Sequence, residues 1–220
     1  AGMFLIGVNV AEFVPDPSVE IPLGMMEDHG IALLVVTLTA IVLILGAAFV
    51  VIDRSAVSEA RARYRHMALH DPLTGIANRA CLNDALAEAV SASAALHARL
   101  AVAAIDLNRF KPVNDVHGHA AGDALLRGVA ASLASALRPG EFVARTGGDE
   151  FLAFKTGLAD RAEAEAFAAR LAAAVRRPVD WEGLSLSVGC GVGVALFPQD
   201  GDTPAALQTR ADLALYRAKG

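Results

Sequence analysis

The sequence predicts an α/β protein in which a mixed sheet carries helices on both faces, preceded by one transmembrane helix. After His70, segments typical of helices alternate with short apolar runs typical of strands, which indicates α/β layering. Gly147 and Gly148 stand between two apolar runs and predict a tight hairpin, which favours a mixed sheet over a purely parallel one. The third observation is an uncharged apolar run at residues 31–52, long enough to cross the ~30 Å hydrocarbon core of a membrane.

Composition and flanking charge predict how this run lies in a membrane. The chain has 220 residues, of which 55% are hydrophobic, and a mean hydropathy of +0.45, which is too apolar for a soluble domain alone. No Lys or Arg precedes the run, whereas four arginines follow it within residues 54–65. By the positive-inside rule, the chain after residue 53 lies in the cytoplasm, and the protein is expected in the inner membrane. A signal peptide fits poorly because Ala1 begins the chain without a basic region.

The segments on either side of the run have different expected roles. Residues 1–30 hold several prolines and glycines and no initiator Met, so we expect an extracytoplasmic loop or the end of a truncated membrane sensor. With the run that follows, they resemble the last loop and last helix of MHYT-type membrane sensors. Residues 53–70 hold no Gly or Pro and are expected to continue as a connector helix. Such a helix transmits a sensor's state or is a passive spacer, and the sequence does not separate the two.

The soluble part, residues 71–220, begins with turn chemistry in Asp71-Pro72-Leu73-Thr74-Gly75. Asn78 then has the side chain of a helix N-cap. A continuous apolar run at 100–105 predicts a strand that is buried on both faces and leads to Asp106. The other predicted elements are helices at 79–97, 112–116, 120–137, 161–176 and 204–219, and a strand region at 184–196.

Asp149 and Glu150 are the first residues that break a local rule. They are adjacent carboxylates beside a tight turn, where strand propensity is poor and like charges repel. Neighbours in a strand point to opposite faces, so we expect the two acids to have different tasks. The alternative is a solvated turn with two surface acids.

A second set of polar residues follows the buried strand. A carboxylate such as Asp106 is costly at a strand end unless it is paired or binds metal, and crevices at the carboxyl ends of strands bind ligands in α/β sheets. If Asp106 faces Asp149, the two oxygens suit Mg²⁺ with nucleotide phosphates, and Lys111 adds a positive charge. Asn114 and Asp123 offer the donors and acceptors that read a purine edge. Taken singly, Asp106 is equally a turn acid and Lys111 a solvated lysine.

Six stretches, in order, resemble the GGDEF domain, the catalytic domain of diguanylate cyclases, over about residues 67–219. They are 71–75 with Asn78-Arg79, 106–115, Gly118-His119 with Gly122-Asp123, 145–151, 187–189 with 197–201, and 211–212 with 214–219. The resemblance implies a fold like that of nucleotidyl cyclases and polymerase palms. It also implies condensation of two GTP into cyclic di-GMP and two pyrophosphates. Each domain would hold one GTP, so a homodimer is required and a fixed monomer should be inactive.

The resemblance implies a role for each matching residue. Asp106 and Asp149, with the main-chain carbonyl of Leu107, would bind two divalent metals, Mg²⁺ or Mn²⁺, for two-metal phosphoryl transfer. Asp149 or Glu150 would help activate a ribose 3′-hydroxyl, and Lys111 would act with them. The implied GTP contacts are the main chain near Phe110, Lys111 and Lys219 for phosphates, and Asn114 and Asp123 for guanine.

Two departures from the family pattern stand out. The inhibitory product site of many members has the form Arg-x-x-Asp, and here the matching residues are Arg138 and Glu141. The longer Glu side chain moves the carboxylate by about a bond length, so we expect product inhibition to be weak or absent. A simple helix-ending turn is the alternative. The family also continues past its last helix into a basic turn and a strand, whereas this sequence stops at Gly220, so the domain is expected to be truncated.

Other function classes find less support. A net charge of -5 argues against nucleic acid as a partner. Cys81 and Cys190 lack metal or redox spacing, and His117 with His119 fits a structural turn better than a metal site. Two alternatives remain besides the cyclase: a GTP-binding regulatory module of a larger phosphodiesterase whose catalytic domain follows this chain, and a membrane scaffold.

Overall fold

The computed structural model describes residues 28–219, and the side chains at 28–29, 50–67 and 219 lie outside that description. Its contacts divide the chain into two compact units, with the boundary between Ser58 and Glu59. The predicted loop or sensor end before residue 28 therefore lies outside the described residues.

A single long helix, α1 (Asp28–Leu69), contains both the predicted membrane span and the predicted connector. Within the described residues, Gly30–Phe49 is the one stretch long and apolar enough to cross a membrane, judged by length and composition, and none of it is buried. The hydroxyls of Thr37 and Thr39 donate to the carbonyls of Leu33 and Val35, each at 2.7 Å. Both polar groups are thus satisfied inside the helix, as a hydrocarbon environment requires.

The second unit is built on a five-stranded sheet in the order β1-β3-β4-β2-β7. The β1–β3 pair is parallel and the other pairs are antiparallel, so the predicted mixed sheet is confirmed. The elements are β1 (Ala77–Asn78), α2 (Arg79–Ala95), β2 (Arg99–Asn108), α3 (Phe110–His117), α4 (His119–Ala136), β3 (Glu141–Gly147), β4 (Glu150–Leu158), α5 (Arg161–Val175), β5 (Val179–Trp181), β6 (Leu184–Leu186), β7 (Gly189–Phe197) and α6 (Pro204–Lys219).

Helices cover both faces of this sheet, as the sequence predicts. Along β2, Ala103, Ile105 and Leu107 pack with α4 and α5 in one core cluster. Leu100, Val102 and Ala104 alternate with them and pack with α2 and α6 in a second cluster. The strand is therefore buried on both sides, and its even-numbered residues face α2 and α6.

The final helix approaches the sheet closely because β7 carries a glycine there. A Cβ atom on Gly193 would lie 2.2 Å from the carbonyl oxygen of Ala211 and 2.1 Å from the nitrogen of Leu215. Any larger residue would push α6 away from the sheet. Gly193 therefore fixes the position of the helix that ends at Lys219.

Three sequence predictions need correction. The strand region at 184–196 is two strands, because β6 pairs with β5 in a separate two-stranded sheet while β7 joins the main sheet. The strand carrying Asp106 does not end there but continues to Asn108, since β7 pairs with it to that point. The hairpin turn is not Gly147-Gly148 but Gly148-Asp149, because Gly147 pairs with Glu150.

Candidate active site

The β3–β4 hairpin forms one wall of the candidate site. Gly148 has φ of 39°, a conformation that side chains disfavour, and a Cβ on Gly147 or Gly148 would meet no atom within 4 Å. The space beside both glycines is thus open, so another molecule can approach the main chain there. The register shifts between Arg145 and Gly147, which leaves Thr146 as a bulge.

Asp106 and Glu150 come together through the strand register. They are direct partners across the antiparallel β2–β4 pair, so their side chains lie on the same face of the sheet. The amide of Leu107 also donates to the carbonyl oxygen of Asp149 at 3.2 Å. Asp106 is half-buried, as is Asp149, whereas Glu150 is exposed. Of the two hairpin acids, Glu150 is therefore the one that lies in register with Asp106, while Asp149 occupies the turn beside it.

These oxygens have the chemistry that a divalent metal requires. Carboxylates and main-chain carbonyls are the ligands that Mg²⁺ prefers, and two carboxylates on facing strand positions repel unless a cation lies near them. Among the described side chains, at 30–49 and 68–218, no group of three or more His, Cys, Asp or Glu could hold a metal ion by itself. The protein donors fit a metal that also takes ligands from a bound phosphate, as Mg²⁺ commonly does.

The junction between β2 and α3 forms the second wall. Arg109 has φ of 57°, and no side chain caps the helix that starts at Phe110. The first amide groups of that helix are therefore open to an anion, which the helix dipole also favours. Lys111, in the first turn, is exposed. A strained residue followed by an uncapped helix is a suitable cradle for phosphate.

Close packing of α3 on α4 sets Asn114 against Gly122, the neighbour of Asp123. A Cβ atom on Gly122 would lie 1.8 Å from Oδ1 of Asn114 and 3.2 Å from Cζ of Phe110. The Asn114 amide thus lies over the main chain next to Asp123. Asp123 is half-buried. Its Oδ2 lies 3.9 Å from Nη2 of Arg127, one turn along α4. Asn114 therefore lies against the residue that precedes Asp123 in α4.

Two further predicted residues are placed differently. Lys219 ends α6, and its side chain is outside the described part. Glu141 has a side chain with 0% exposure that pairs with Arg170 and lies 3.7 Å from Lys155. It also accepts from the main-chain amide of Arg138 at 2.9 Å. Glu141 is thus engaged inside the protein, while Arg138 is exposed.

Arg145 is a residue to which sequence reasoning gave no role. Its guanidinium donates to the carbonyl oxygen of Gly148 at 3.0 and 2.8 Å and to the carboxylate of Asp71 at 2.9 Å. Burial raises the pKa of Asp71, but the hydrogen bonds from Thr74 and Arg145 outweigh burial and hold that pKa below its ordinary value. Arg145 thereby ties the turn that follows α1 to the hairpin. The signal that could have indicated this is an Arg next to the hairpin together with an Asp in the opening turn.

Comparison with known proteins identifies a family for residues 68–220. The family model described as the diguanylate cyclase GGDEF domain matches residues 68–220. A diguanylate cyclase of Pseudomonas aeruginosa, TpbB, is 39% identical over 167 residues, which cover 76% of this chain and 38% of the relative. The bifunctional diguanylate cyclase/cyclic di-GMP phosphodiesterase MucR, of the same organism, is 34% identical over 229 residues, covering 99% of this chain and 33% of the relative.

A solved structure agrees in fold over the second unit. The crystal structure of a sensory box/GGDEF family protein from Caulobacter crescentus superposes with a TM-score of 0.66 at 47% identity, covering 69% of this chain and 97% of that chain. The chain therefore spans a nearly complete version of that solved domain. It spans only 38% and 33% of the two curated relatives.

Proposed function

The chain belongs to the diguanylate cyclase GGDEF family, and from this premise we propose that it condenses two GTP into cyclic di-GMP, releasing two pyrophosphates. The observation that carries the proposal is the register of β2 and β4. It sets Asp106 opposite Glu150, with Asp149 in the adjoining turn. Such a set of acids beside an uncapped helix start supports phosphoryl transfer from a nucleotide.

Metal binding and proton transfer are assigned to Asp106, Asp149 and Glu150. Asp106, Asp149 and the carbonyl of Leu107 would hold two divalent metals, Mg²⁺ or Mn²⁺, with Glu150 beside them. When bound, the metals lower the charge on the α-phosphate and the leaving pyrophosphate and favour the ionised hydroxyl. In each of two steps the 3′-oxygen of one guanosine nucleotide bonds to the α-phosphorus of the other. The bond from that phosphorus to the oxygen bridging to the β-phosphate breaks, and pyrophosphate leaves. The hydroxyl proton passes to the carboxylate of Asp149 or Glu150.

The phosphates would bind at the start of α3 and the base farther along it, since Lys111 and Asn114 are three residues apart and lie on one side of the helix. The open amides at Phe110, with Lys111 and Lys219, would bind the triphosphate. Asn114 and Asp123 would bind guanine, since a carboxylate accepts from the ring N–H and amino group of guanine and an amide both donates and accepts. The contact of Asn114 with Gly122 supports this pair because it limits where the amide can lie.

Each domain binds one GTP, so turnover requires two domains whose sites face each other. The second domain is supplied by another copy of the chain. We propose that Gly30–Phe49 anchors each copy in the inner membrane with the second unit in the cytoplasm. We also propose that the segment before it is the end of an MHYT-type sensor. The uncharged, exposed helix and the arginines that follow it support the anchor.

A second function is favoured by one relative. PdeR of Escherichia coli, which is named a cyclic di-GMP phosphodiesterase and not a cyclase, is 37% identical over 163 residues, covering 73% of this chain and 24% of the relative. In that arrangement the domain would bind GTP without turnover and regulate a phosphodiesterase domain that follows it. The presence of Asp106, Asp149 and Glu150 supports the cyclase instead, because a module that only binds GTP does not need this set of acids.

One assay separates the two functions. The full chain, purified in detergent micelles, is incubated with GTP and Mg²⁺ over a range of protein concentrations, and cyclic di-GMP is measured by mass spectrometry. The cyclase predicts product at a rate per chain that rises with concentration. It also predicts loss of product in Asp149→Ala but not in Asp180→Ala, which removes an exposed acid of β5. Bound GTP without product at high protein concentration would establish the regulatory function.

A further inference from the structure

A small cavity on the α2 and α6 face of the sheet contains charged residues that the proposed mechanism does not use. Its volume is about 90 Å³, and Arg79, Thr146, Glu150, Gln208 and Asp212 are among its lining residues. Glu150 connects this cavity to the candidate active site. The other charged residues, Arg79 and Asp212, come from the start of α2 and from α6.

Arg79 supplies a hydrogen bond that the sheet lacks at the hairpin. Thr146 is the bulged residue of β3, so the ladder to β4 is interrupted there. The Nε–H of Arg79 donates to the carbonyl oxygen of Thr146 at 3.1 Å. The hydroxyl of Thr146 in turn donates to the carbonyl oxygen of Glu150 at 3.3 Å. Two hydrogen bonds therefore connect Arg79 to the main chain of Glu150, and bulges of this kind often set the direction of a nearby side chain.

The positive charge of Arg79 is electrostatically unfavourable at the start of α2. Arg79 is the first residue of α2, whose first turn holds no acid, and a cation at a helix N-terminus opposes the helix dipole. Asp212 supplies an opposing charge from α6. Burial raises the pKa of the Asp212 carboxyl, and the Arg79 guanidinium works against that rise. The two charges therefore interact across the cavity that Glu150 also lines.

We propose that Arg79 is a positioning residue for the catalytic hairpin, which holds the Thr146 bulge and so the main chain of Glu150, with Asp212 as its counter-charge. This rests on the proposed function, since Glu150 matters only if the site acts on a nucleotide. Arg79 does not contact the substrate in this account. Its loss should slow the chemical step and leave GTP affinity unchanged.

The matched control for Arg79 is Arg99. Nη1 of Arg99 donates to the carbonyl oxygen of Ala159 at 2.9 Å, at the opposite end of β2 from Asp106. Arg99→Ala thus removes one arginine–carbonyl hydrogen bond from the same unit but far from the hairpin. Arg79→Lys keeps the charge and one donor, so it tests whether the contact rather than the helix start is responsible.

The experiment uses the full chain in detergent micelles with four single variants, Arg79→Ala, Arg79→Lys, Asp212→Asn and Arg99→Ala, and the double variant that combines Arg79→Ala with Asp212→Asn. We measure kcat for cyclic di-GMP formation and KM for GTP. We also measure the Kd of a non-hydrolysable GTP analogue and amide hydrogen exchange at residues 146–151. We expect Arg79→Ala to lower kcat about tenfold, to leave KM and Kd within about twofold, and to speed exchange at 146–151. Arg79→Lys should recover part of kcat. Arg79→Ala with Asp212→Asn should be no slower than Arg79→Ala alone.

Three results would overturn the proposal: kcat of Arg79→Ala within about twofold of that of Arg99→Ala, a loss that appears in Kd instead of kcat, or unchanged exchange at 146–151. If Arg79→Ala does not fold, Arg79→Lys and Asp212→Asn carry the comparison. If the unsubstituted chain makes no cyclic di-GMP, the proposed function fails, whereas the exchange measurement still tests whether Arg79 holds the hairpin.

Discussion

Asp106 on β2 lies directly opposite Glu150 on β4, so two carboxylates share one face of the sheet beside the hairpin turn. Asp149 occupies the turn itself, and its carbonyl oxygen accepts from the amide of Leu107 at 3.2 Å. The two hairpin acids therefore differ in backbone setting: Glu150 is held by strand pairing and Asp149 by the turn. This difference permits separate tests of their roles.

Glu150→Gln should separate metal binding from proton transfer. Removing a carboxylate from the site should lower turnover about 100-fold, in the range found when one electrostatic contact of a catalytic site is lost. If Glu150 also helps to hold a metal, the Mn²⁺ concentration needed for half-maximal turnover should rise as well. An unchanged Mn²⁺ requirement would assign Glu150 to the hydroxyl proton alone. Turnover within about twofold of the unsubstituted chain would show that Glu150 has neither role.

Gly122→Ala should weaken GTP binding while the fold survives. The new methyl group would overlap Oδ1 of Asn114, which is 1.8 Å from the Cβ position, so the Asn side chain should rotate away from its present position. We expect KM for GTP to rise about tenfold, the cost of about one displaced hydrogen bond to the base, with a smaller effect on kcat. Steady-state kinetics measure both.

Gly128→Ala is the control for this substitution. Its Cβ would lie 2.3 Å from a methyl group of Val179, so α4 is overpacked at a place remote from Asn114. We expect a loss of about 1–3 kcal/mol in the free energy of unfolding and an unchanged KM. If both glycine variants raise KM equally, Asn114 has no special part in binding the base.

Asp71 should make the stability of the second unit sensitive to acid. Since its folded pKa is lowered, the carboxylate stabilises the fold above its unfolded pKa of about 3.8. This stabilisation is lost as the pH falls through the folded value. Asp71→Asn should therefore cost about 1.5 kcal/mol at pH 7, as for a charged hydrogen bond, and flatten the decline of stability below about pH 4. Urea unfolding from pH 7 to pH 3 measures this, and an equally steep decline in Asp71→Asn would contradict it.

Glu141 should act as a structural residue and not as part of a product site. Its buried carboxylate pairs with Arg170 and Lys155, so Glu141→Gln should lower the free energy of unfolding by about 3 kcal/mol. Glu165→Gln is the control, because the Glu165 and Arg161 side chains are 70% and 82% exposed, and it should cost no more than about 0.5 kcal/mol.

The same contacts predict that cyclic di-GMP does not inhibit the enzyme. The Glu141 carboxylate would have to leave its internal partners to bind product beside Arg138. We expect the initial rate to stay constant when product is added before GTP. Inhibition that disappears in Arg138→Ala would show that Arg138 binds product without Glu141.

The sequence predicted well those elements whose local pattern and tertiary setting agree. The last helix begins at Pro204 and ends at Lys219, as predicted, and Asn78 caps α2 by accepting from the amide of Cys81. The mixed sheet followed from a single hairpin signal. These features depend on neighbours along the chain, which the sequence shows directly.

The sequence failed where pairing with a distant strand decided the outcome. Asp106 reads as the end of a strand, but β7 extends β2 to Asn108. Gly147-Gly148 reads as the turn, but the bulge at Thr146 moves the turn to Gly148-Asp149. The contacts of Arg145 and Arg79 join residues 74 and 67 positions apart, so each depends on how distant segments pair in the fold. The pairing of Asp106 with Glu150 has the same origin.

The most direct test of this account is the rate of cyclic di-GMP formation by Asp106→Asn, measured beside the unsubstituted chain at the same GTP, Mg²⁺ and protein concentrations. Binding of a non-hydrolysable GTP analogue without metal, measured in parallel, shows whether the base and phosphate contacts are intact. We predict at least a 100-fold loss of rate, or about 2.7 kcal/mol of transition-state stabilisation, with analogue binding retained. A rate within about twofold of the unsubstituted chain would contradict the assignment of Asp106 to the catalytic site.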